Sequence, residues 1–246
     1  MALDNTYVNR IEGLFYSKSD EKFTVRALLD EIFGERTFGS ALDIGPGAGY
    51  ISEPLARRSK HLKMVEKQAK FEETLRAQFP AADVSIGSFT EVPLQGPYDV
   101  ILLSHVLYYH PENTWISLLQ RLHKLLAPGG ELIVALNSDT GDWWKIVNLY
   151  WGELRPHLSF NYIPLTQARK EFAEIGSLQV HPYRYQMWVE PGPTWSEFVG
   201  TQILELSDEA LRRRYDDSFQ DLAKTFKQID GNIVLDFRAE IIRIKA

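Results

Sequence analysis

The sequence contains no cysteine, which excludes disulfides, thiolate metal sites and a cysteine nucleophile. No apolar run reaches the ~20 residues that a bilayer span needs. The opening MALDNTYVNRIEG has no basic segment leading into an apolar one, the pattern of a secretory signal. A basic excess is missing too: 27 Lys and Arg stand against 33 Asp and Glu, a net charge of -6, which leaves little with which to hold a phosphate backbone. Internal repeats, low-complexity tracts and the paired His/carboxylate spacing of a metal site are also lacking. These absences predict a cytoplasmic protein with no nucleic-acid partner, no membrane and no metal, and they say nothing of oligomeric state.

What is present suits a folded chain. With 246 residues, 44% of them hydrophobic, the chain can form one domain, and a chain of this length buries roughly three quarters of its unfolded surface. Val8, Ile11, Leu14 and Phe15, then Val25, Leu28, Leu29, Ile32 and Phe33, recur at three- and four-residue steps and predict two amphipathic helices before any strand. From residue 41 short apolar runs at 41–44, 62–65, 84–86, 100–103 and 132–136 alternate with helical stretches, clearest at Trp115, Leu118, Leu119, Leu122, Leu125 and Leu126. Strands without in/out alternation, separated by helices, imply a parallel sheet covered on both faces. After Leu136 an aromatic, loop-rich segment runs to about Pro164. Thr166 can cap a helix reaching Ile175. Thr194 and Glu197 have capping-box spacing ahead of Phe198, Val199, Ile203 and Leu206, and Ser207 can cap a helix with Leu211, Tyr215, Phe219, Leu222 and Phe226 on one face. Gly231-Asn232 reads as a turn before a last strand over 233–244. Residues 180–189 read as its edge partner, where Pro182 is tolerable.

The chemistry-bearing signal is Ala41-Leu-Asp-Ile-Gly-Pro-Gly-Ala-Gly-Tyr50, which sets Gly45, Gly47 and Gly49 directly after the first strand and before a helix. Glycine allows a sharp turn and close approach to a ligand, and a helix N-terminus offers unpaired N–H groups. Glu66 ends the next strand 21 residues after Gly45, where an acidic side chain in such a fold accepts hydrogen bonds from a ribose diol. These two features alone also suit a nicotinamide enzyme.

Further motifs decide against that. Two leading helices, the glycine turn, Tyr98-Asp-Val-Ile-Leu-Leu-Ser-His at the fourth strand and Leu126-Ala-Pro-Gly-Gly-Glu-Leu-Ile-Val before the fifth resemble class I S-adenosylmethionine-dependent methyltransferases. The resemblance implies an α/β fold: a Rossmann-like, doubly wound, mostly parallel sheet of seven strands with an antiparallel C-terminal pair. In one methyltransferase domain over 1–246, residues 1–38 form a helical cap, 39–136 the cofactor core, 137–164 a lid-like insertion and 165–246 the C-terminal helices and edge strands. It also implies S-adenosyl-L-methionine as cofactor, with S-adenosyl-L-homocysteine as product. Carried onto this chain, Gly45, Gly47 and Gly49 pass under the methionyl part, Glu66 holds the ribose, and Gly87 and Ser88 contact the adenine. Asp43 orients the ammonium, directly or through water, and Ser104 lines the same pocket.

Within that superfamily Ser104-His-Val-Leu-Tyr-Tyr-His110 is similar to the histamine N-methyltransferases and their bacterial relatives. The likeness extends to the Trp-rich stretch after Gly141, to Tyr162-Ile-Pro, to an Ile-rich end, to Tyr7-Val8 and to an acidic step at residues 19–21. Two departures leave the acceptor open: the family's glutamine is His105 here, and its asparagine near the C-terminus falls at Asp236, where no Asn stands. The resemblance implies a small-molecule acceptor, with methyl transfer to nitrogen of a small basic or aromatic amine. Glu21, or Asp20 if no residue is inserted there, anchors a cation. Tyr7, Tyr108, Tyr109, Trp143 and Asp236 line the acceptor pocket. His105 accepts a proton or orients the nucleophile, since a neutral imidazole predominates at physiological pH. Residues 143–198 hold 12 aromatics and five of the six Trp, against about seven aromatics for an even spread, enough to cover a crevice. An O-methyltransferase acting on a phenol or carboxylate, and a cofactor-binding protein without catalysis, stay open as alternatives.

Overall fold

Residues 17–245 are described by the computed structural model. Tyr7 and the first expected helix lie outside the described residues. The second is α1 (Glu21–Phe33), which buries Val25, Leu29, Ile32 and Phe33 at the predicted spacing. The alternation that follows is β1 (Phe38–Ile44), α2 (Glu53–Ala56), β2 (Ser59–Glu66), α3 (Glu72–Gln78), β3 (Asp83–Ile86), β4 (Tyr98–Ser104), α4 (Trp115–His123) and β5 (Leu126–Thr140). Then come α5 (Gly141–Leu154), α6 (Leu165–Phe172), β6 (Ser177–Val189), α7 (Pro193–Phe198), α8 (Glu209–Arg214), α9 (Asp216–Ala223), β7 (Lys227–Ile229) and β8 (Asn232–Lys245).

The sheet runs β3-β2-β1-β4-β5-β8-β6, with β7 beside β8. β1 pairs in parallel with both β2 and β4, β2 with β3, and β4 with β5. The strand order therefore reverses between β1 and β4, and the crevice beyond their carboxyl ends is where this architecture binds ligands. Ala41, Leu42 and Ile44, Val100 to Leu103, and Leu132 to Leu136 are all buried, as strands covered on both faces must be. Among the described residues the sheet has eight strands, one more than expected, because Lys227, Gln228 and Ile229 fold back opposite Val234, Ile233 and Asn232. Among the described residues no helix is long and apolar enough to cross a membrane.

Contacts divide the chain into two units. One takes the described residues up to Glu21, Asn137–Asn161 and Arg184–Arg238; the other takes Lys22–Leu136, Tyr162–Tyr183 and the chain from Ala239 on. In the second unit Glu131, 2% exposed, sits between Arg36 Nη1 at 2.7 Å and Arg243 Nε at 2.6 Å. In the first, Trp195 donates its indole N–H to the Phe219 carbonyl at 2.6 Å, and Tyr150 packs edge-on against Phe219.

Four local expectations are corrected. The stretch after Leu136 is not loop-rich: α5 occupies 14 residues, with Trp143, Ile146, Val147, Tyr150 and Leu154 buried at helical spacing. Asp208, not Ser207, caps α8, its side chain accepting from the N–H groups of Ala210 and Leu211. The helix expected to follow is two pieces, because Tyr215 (φ -97°, ψ 2°) leaves the helical region between α8 and α9. Neither Thr166 nor Thr194 is a cap: Pro164 precedes α6, which ends at Phe172, and Gly192 precedes α7, which passes into a π-helical turn at Val199–Ile203.

Candidate functional site

β1 ends at Ile44 and the chain turns through Gly45, Gly47 and Gly49, with φ of 67°, 56° and 79°. A Cβ on Gly45 would lie 2.5 Å from Val106 Cγ2, and one on Gly49 2.5 Å from Phe79 Cε2, whereas one on Gly47 meets nothing within 4 Å. Gly45 and Gly49 are thus required by packing as well as by conformation, while Gly47 presents an open backbone surface. Gly49→Ala is expected to destabilise the chain by about 2–5 kcal/mol, from left-handed strain plus overpacking. Gly47→Ala should cost about 1–2 kcal/mol, from strain alone. Urea unfolding distinguishes them, and equal losses would contradict this account. The helix expected directly after the turn is short and displaced: α2 has four residues and starts only after Ser52, with Pro54 in its first turn.

Glu66, 4% exposed at the end of β2, fastens this turn. Its Oε2 accepts from Gly47 N–H at 2.8 Å and its Oε1 from Gln68 N–H at 2.7 Å. A carboxylate oxygen can accept more than one hydrogen bond, so capacity for a ligand hydroxyl is retained. Asp43, two residues ahead of the turn, is 2% exposed. Burial pushes its carboxyl pKa up to about 7; the hydrogen bond from Ser52 opposes that and the Glu66 charge adds to it. Asp43 Oδ2 is buried with no hydrogen-bond partner among the described residues. A buried acid oxygen left unmatched is costly unless something cationic or hydrogen-donating meets it. The turn, Glu66 and Asp43 thus fit a ligand that carries an ammonium and hydroxyl groups.

Beyond β3, Gly87 (φ 149°) donates its N–H to the Glu66 carbonyl at 2.8 Å. Ser88 shares a 2.6 Å hydrogen bond with Thr90 Oγ1, and its carbonyl accepts from Glu91 and Val92. Both residues are therefore held in a defined turn. Ser104 closes β4 with its Oγ buried and without a partner among the described residues.

His105 follows with φ 56°, a left-handed backbone that costs a residue bearing a Cβ about 1–2 kcal/mol. The N–H of His105 donates to the Ala135 carbonyl at 3.0 Å, which continues the β4–β5 pairing by one residue. The imidazole lies over Tyr108, with ring centres 5.9 Å apart and planes at 28°. Its Nε2 is 3.4 Å from Tyr183 Oη. Tyr108 in turn stacks on Tyr162 at 6.4 Å and meets Trp115 edge-on at 6.3 Å. The structure separates the Tyr108-Tyr109 pair: Tyr108 is 6% exposed and Tyr109 is 55% exposed, because the tight turn Leu107–Tyr109 points them apart.

Three further candidates belong to the other unit. Glu21 is buried at the start of α1, its N–H donating to Ser19 Oγ at 3.0 Å. Asp20 Oδ1 instead accepts from the backbone N–H of Gln186 at 2.7 Å, so its carboxylate is engaged with β6. Trp143 is buried on α5, tilted against Phe160 at 6.1 Å. Asp236 Oδ1 pairs with Arg184 at 3.0 Å, Oδ2 lies 3.5 Å from Arg238 Nε, and the Asp236 N–H donates to Asp142 Oδ2 at 2.8 Å. Among the described residues no cluster of three or more His, Asp or Glu forms a metal site. Sequence reasoning passed over Tyr183 and gave Tyr162 no role; only their distant neighbours, His105 and Tyr108, mark them.

A family model described as a methyltransferase domain matches residues 18–179. Demethylspheroidene O-methyltransferase of Rhodobacter capsulatus is 33% identical over 95 residues, 38% of this chain and 24% of that protein. The YcgJ protein of Bacillus subtilis superposes with a TM-score of 0.64 at 15% identity, covering 90% of this chain and 97% of the other. The N-methyltransferase NodS from Bradyrhizobium japonicum WM9, in complex with S-adenosyl-L-homocysteine, superposes with a TM-score of 0.52 at 16% identity, covering 90% and 84%. At these identities the structural likenesses are of fold. The chain spans 24–56% of the length of four curated relatives that it matches.

Proposed function

The chain belongs to the methyltransferase-domain family, and from that premise we propose that it binds S-adenosylmethionine and transfers its methyl group to nitrogen of a small basic or aromatic amine. The observation that carries the donor half is Asp43, whose unmatched buried oxygen beside the glycine turn complements a ligand ammonium. When bound, S-adenosylmethionine would supply a methyl on cationic sulfur for the acceptor's lone pair, with neutral-sulfur S-adenosylhomocysteine as the leaving group. Asp43 holds the ammonium end and Glu66 accepts from the ribose hydroxyls. Gly45, Gly47 and Gly49 keep side chains out of the methionyl path, Gly87 and Ser88 border the adenine, and Ser104 lines the pocket. Orienting the reacting groups can contribute about 7–11 kcal/mol.

The setting of His105 suits proton removal from an amine or from a phenol. The acceptor must shed a proton to keep a neutral product, and an imidazole fixed by aromatic neighbours is suited to take it. Faces such as those of Tyr108 and Tyr162 attract a cation by ~0.5–2 kcal/mol each. The likeness of Leu107-Tyr108-Tyr109 to the histamine N-methyltransferases supports nitrogen, and NodS is itself an N-methyltransferase. The assignment of Glu21, Trp143, Tyr7 and Tyr109 to the acceptor rests on that resemblance alone. Asp236, neutralised by two arginines, takes a structural part in this reading. A second reading, O-methylation, is favoured by the likeness to demethylspheroidene O-methyltransferase. Labelled methyl offered to amine and phenol panels tests the two: transfer to phenols alone would overturn nitrogen, and no binding of S-adenosylhomocysteine would overturn methyl transfer altogether.

Asp43 also makes a pH-dependent prediction. Its folded pKa, about 7, lies above the ordinary value of 3.8, so the ligand-free folded chain keeps a proton that the unfolded chain has released. Stability is therefore lost as pH rises through that window, from about 4 to about 7. Asp43→Asn should flatten this slope in urea unfolding. A bound ammonium favours the charged carboxylate, so S-adenosylhomocysteine should release part of a proton near neutrality, read as a binding heat that varies with buffer ionisation enthalpy. Asp43→Asn should abolish that variation and weaken binding roughly 10–100-fold, the worth of one hydrogen bond to a charged group.

A further inference from the structure

We propose that Tyr183 is a positioning residue that fixes which ring nitrogen of His105 receives the acceptor's proton; the inference rests on the proton-accepting role given to His105 above. Tyr183 is 6% exposed on β6, 78 residues from His105 in sequence, and its hydroxyl oxygen lies 3.4 Å from Nε2. The backbone of His105 is held left-handed, and its ring face rests on Tyr108, which is itself bracketed by Tyr162 and Trp115. The plane of the imidazole is thus set by one tyrosine and the identity of one nitrogen by another.

The tautomer follows from the reaction. A phenol oxygen can donate or accept. If Tyr183 donates to Nε2, the ring proton sits on Nδ1 and the neutral imidazole has no nitrogen left to accept another. If Nε2–H donates to Tyr183 Oη, Nδ1 presents its lone pair. The acceptor's N–H bond then breaks, its electron pair stays on nitrogen, an Nδ1–H bond forms, and the imidazolium later yields that proton to water. Only this second arrangement survives the transfer, because Nε2–H goes on donating to Oη and the bond strengthens once the ring is charged. A 3.4 Å separation is long for the resting contact and shortens in that state.

The test is the ring-nitrogen NMR of His105 in the full chain labelled with ¹⁵N-histidine, with and without S-adenosylhomocysteine. The neutral ring should carry its proton on Nε2. Tyr183→Phe keeps the ring and removes the oxygen, and should lower the Nε2–H to Nδ1–H ratio about fivefold, the worth of one neutral hydrogen bond, while leaving S-adenosylhomocysteine affinity unchanged. A wild-type ring protonated on Nδ1, or a ratio untouched by Tyr183→Phe, overturns the inference. Should Tyr183→Phe fail to fold, the wild-type tautomer decides alone. If S-adenosylhomocysteine does not bind the wild type while the tautomer and its shift are found, the proposed function fails and the Tyr183–His105 pairing stands.

Discussion

Replacing His105 by alanine is expected to lower the turnover of methyl transfer by roughly 10²–10⁴-fold, the range of a placed proton acceptor, while leaving affinity for S-adenosylhomocysteine unchanged. The separation of the two effects comes from position. The groups proposed to hold the donor's ammonium and ribose, Asp43 and Glu66, stand on β1 and β2, whereas His105 follows β4 and contacts Ala135, Tyr108 and Tyr183. Alanine keeps a Cβ at φ 56°, so it inherits the same backbone strain. Stability should therefore move little, and His105→Gly should unfold at slightly higher urea than His105→Ala. Single-turnover transfer of labelled methyl reads the first expectation and calorimetry the second. Full turnover in His105→Ala would remove this side chain from the chemistry.

The largest stability effect is expected at Glu131. Its carboxylate, 3% exposed, receives Arg243, 11% exposed, on one oxygen and Arg36, 44% exposed, on the other. Removing one partner from a buried ion pair strands the other charge, at about 3–5 kcal/mol. Glu131→Ala should fall in that range because Arg243 has little access to water, whereas Arg36 can turn outward. Urea unfolding of Glu131→Ala, Arg243→Met and the double variant gives the coupling. The double variant should be more stable than Glu131→Ala alone, and strict additivity of the two losses would mean that the pair carries no energy.

How much of this was legible in the sequence depends on how far apart the partners lie. The first five strands were readable because strands covered on both faces need unbroken apolar runs, and 41–44, 62–65, 84–86, 100–103 and 132–136 all fall within observed strands. The glycine turn was readable because Gly45 and Gly49 face conformational and packing demands that no other residue meets. Helix α5 is hidden in the sequence by its aromatic density and its leading Gly141, although Trp143, Ile146, Val147, Tyr150 and Leu154 repeat at helical steps. Ser207 and Asp208 are adjacent candidates for one cap, and local sequence does not separate them. Tyr183 was invisible as a neighbour of His105, since nothing in a single sequence pairs residues 78 positions apart. The ion pairs of Asp236 with Arg184, and of Glu131 with Arg243, were invisible for the same reason, being 52 and 112 positions apart.

The carboxylate of Glu66 clasps Gly47 and Gln68 at 2.8 and 2.7 Å. A loop already fastened surrenders little conformational freedom when a guest arrives, so association should carry only a small ordering entropy.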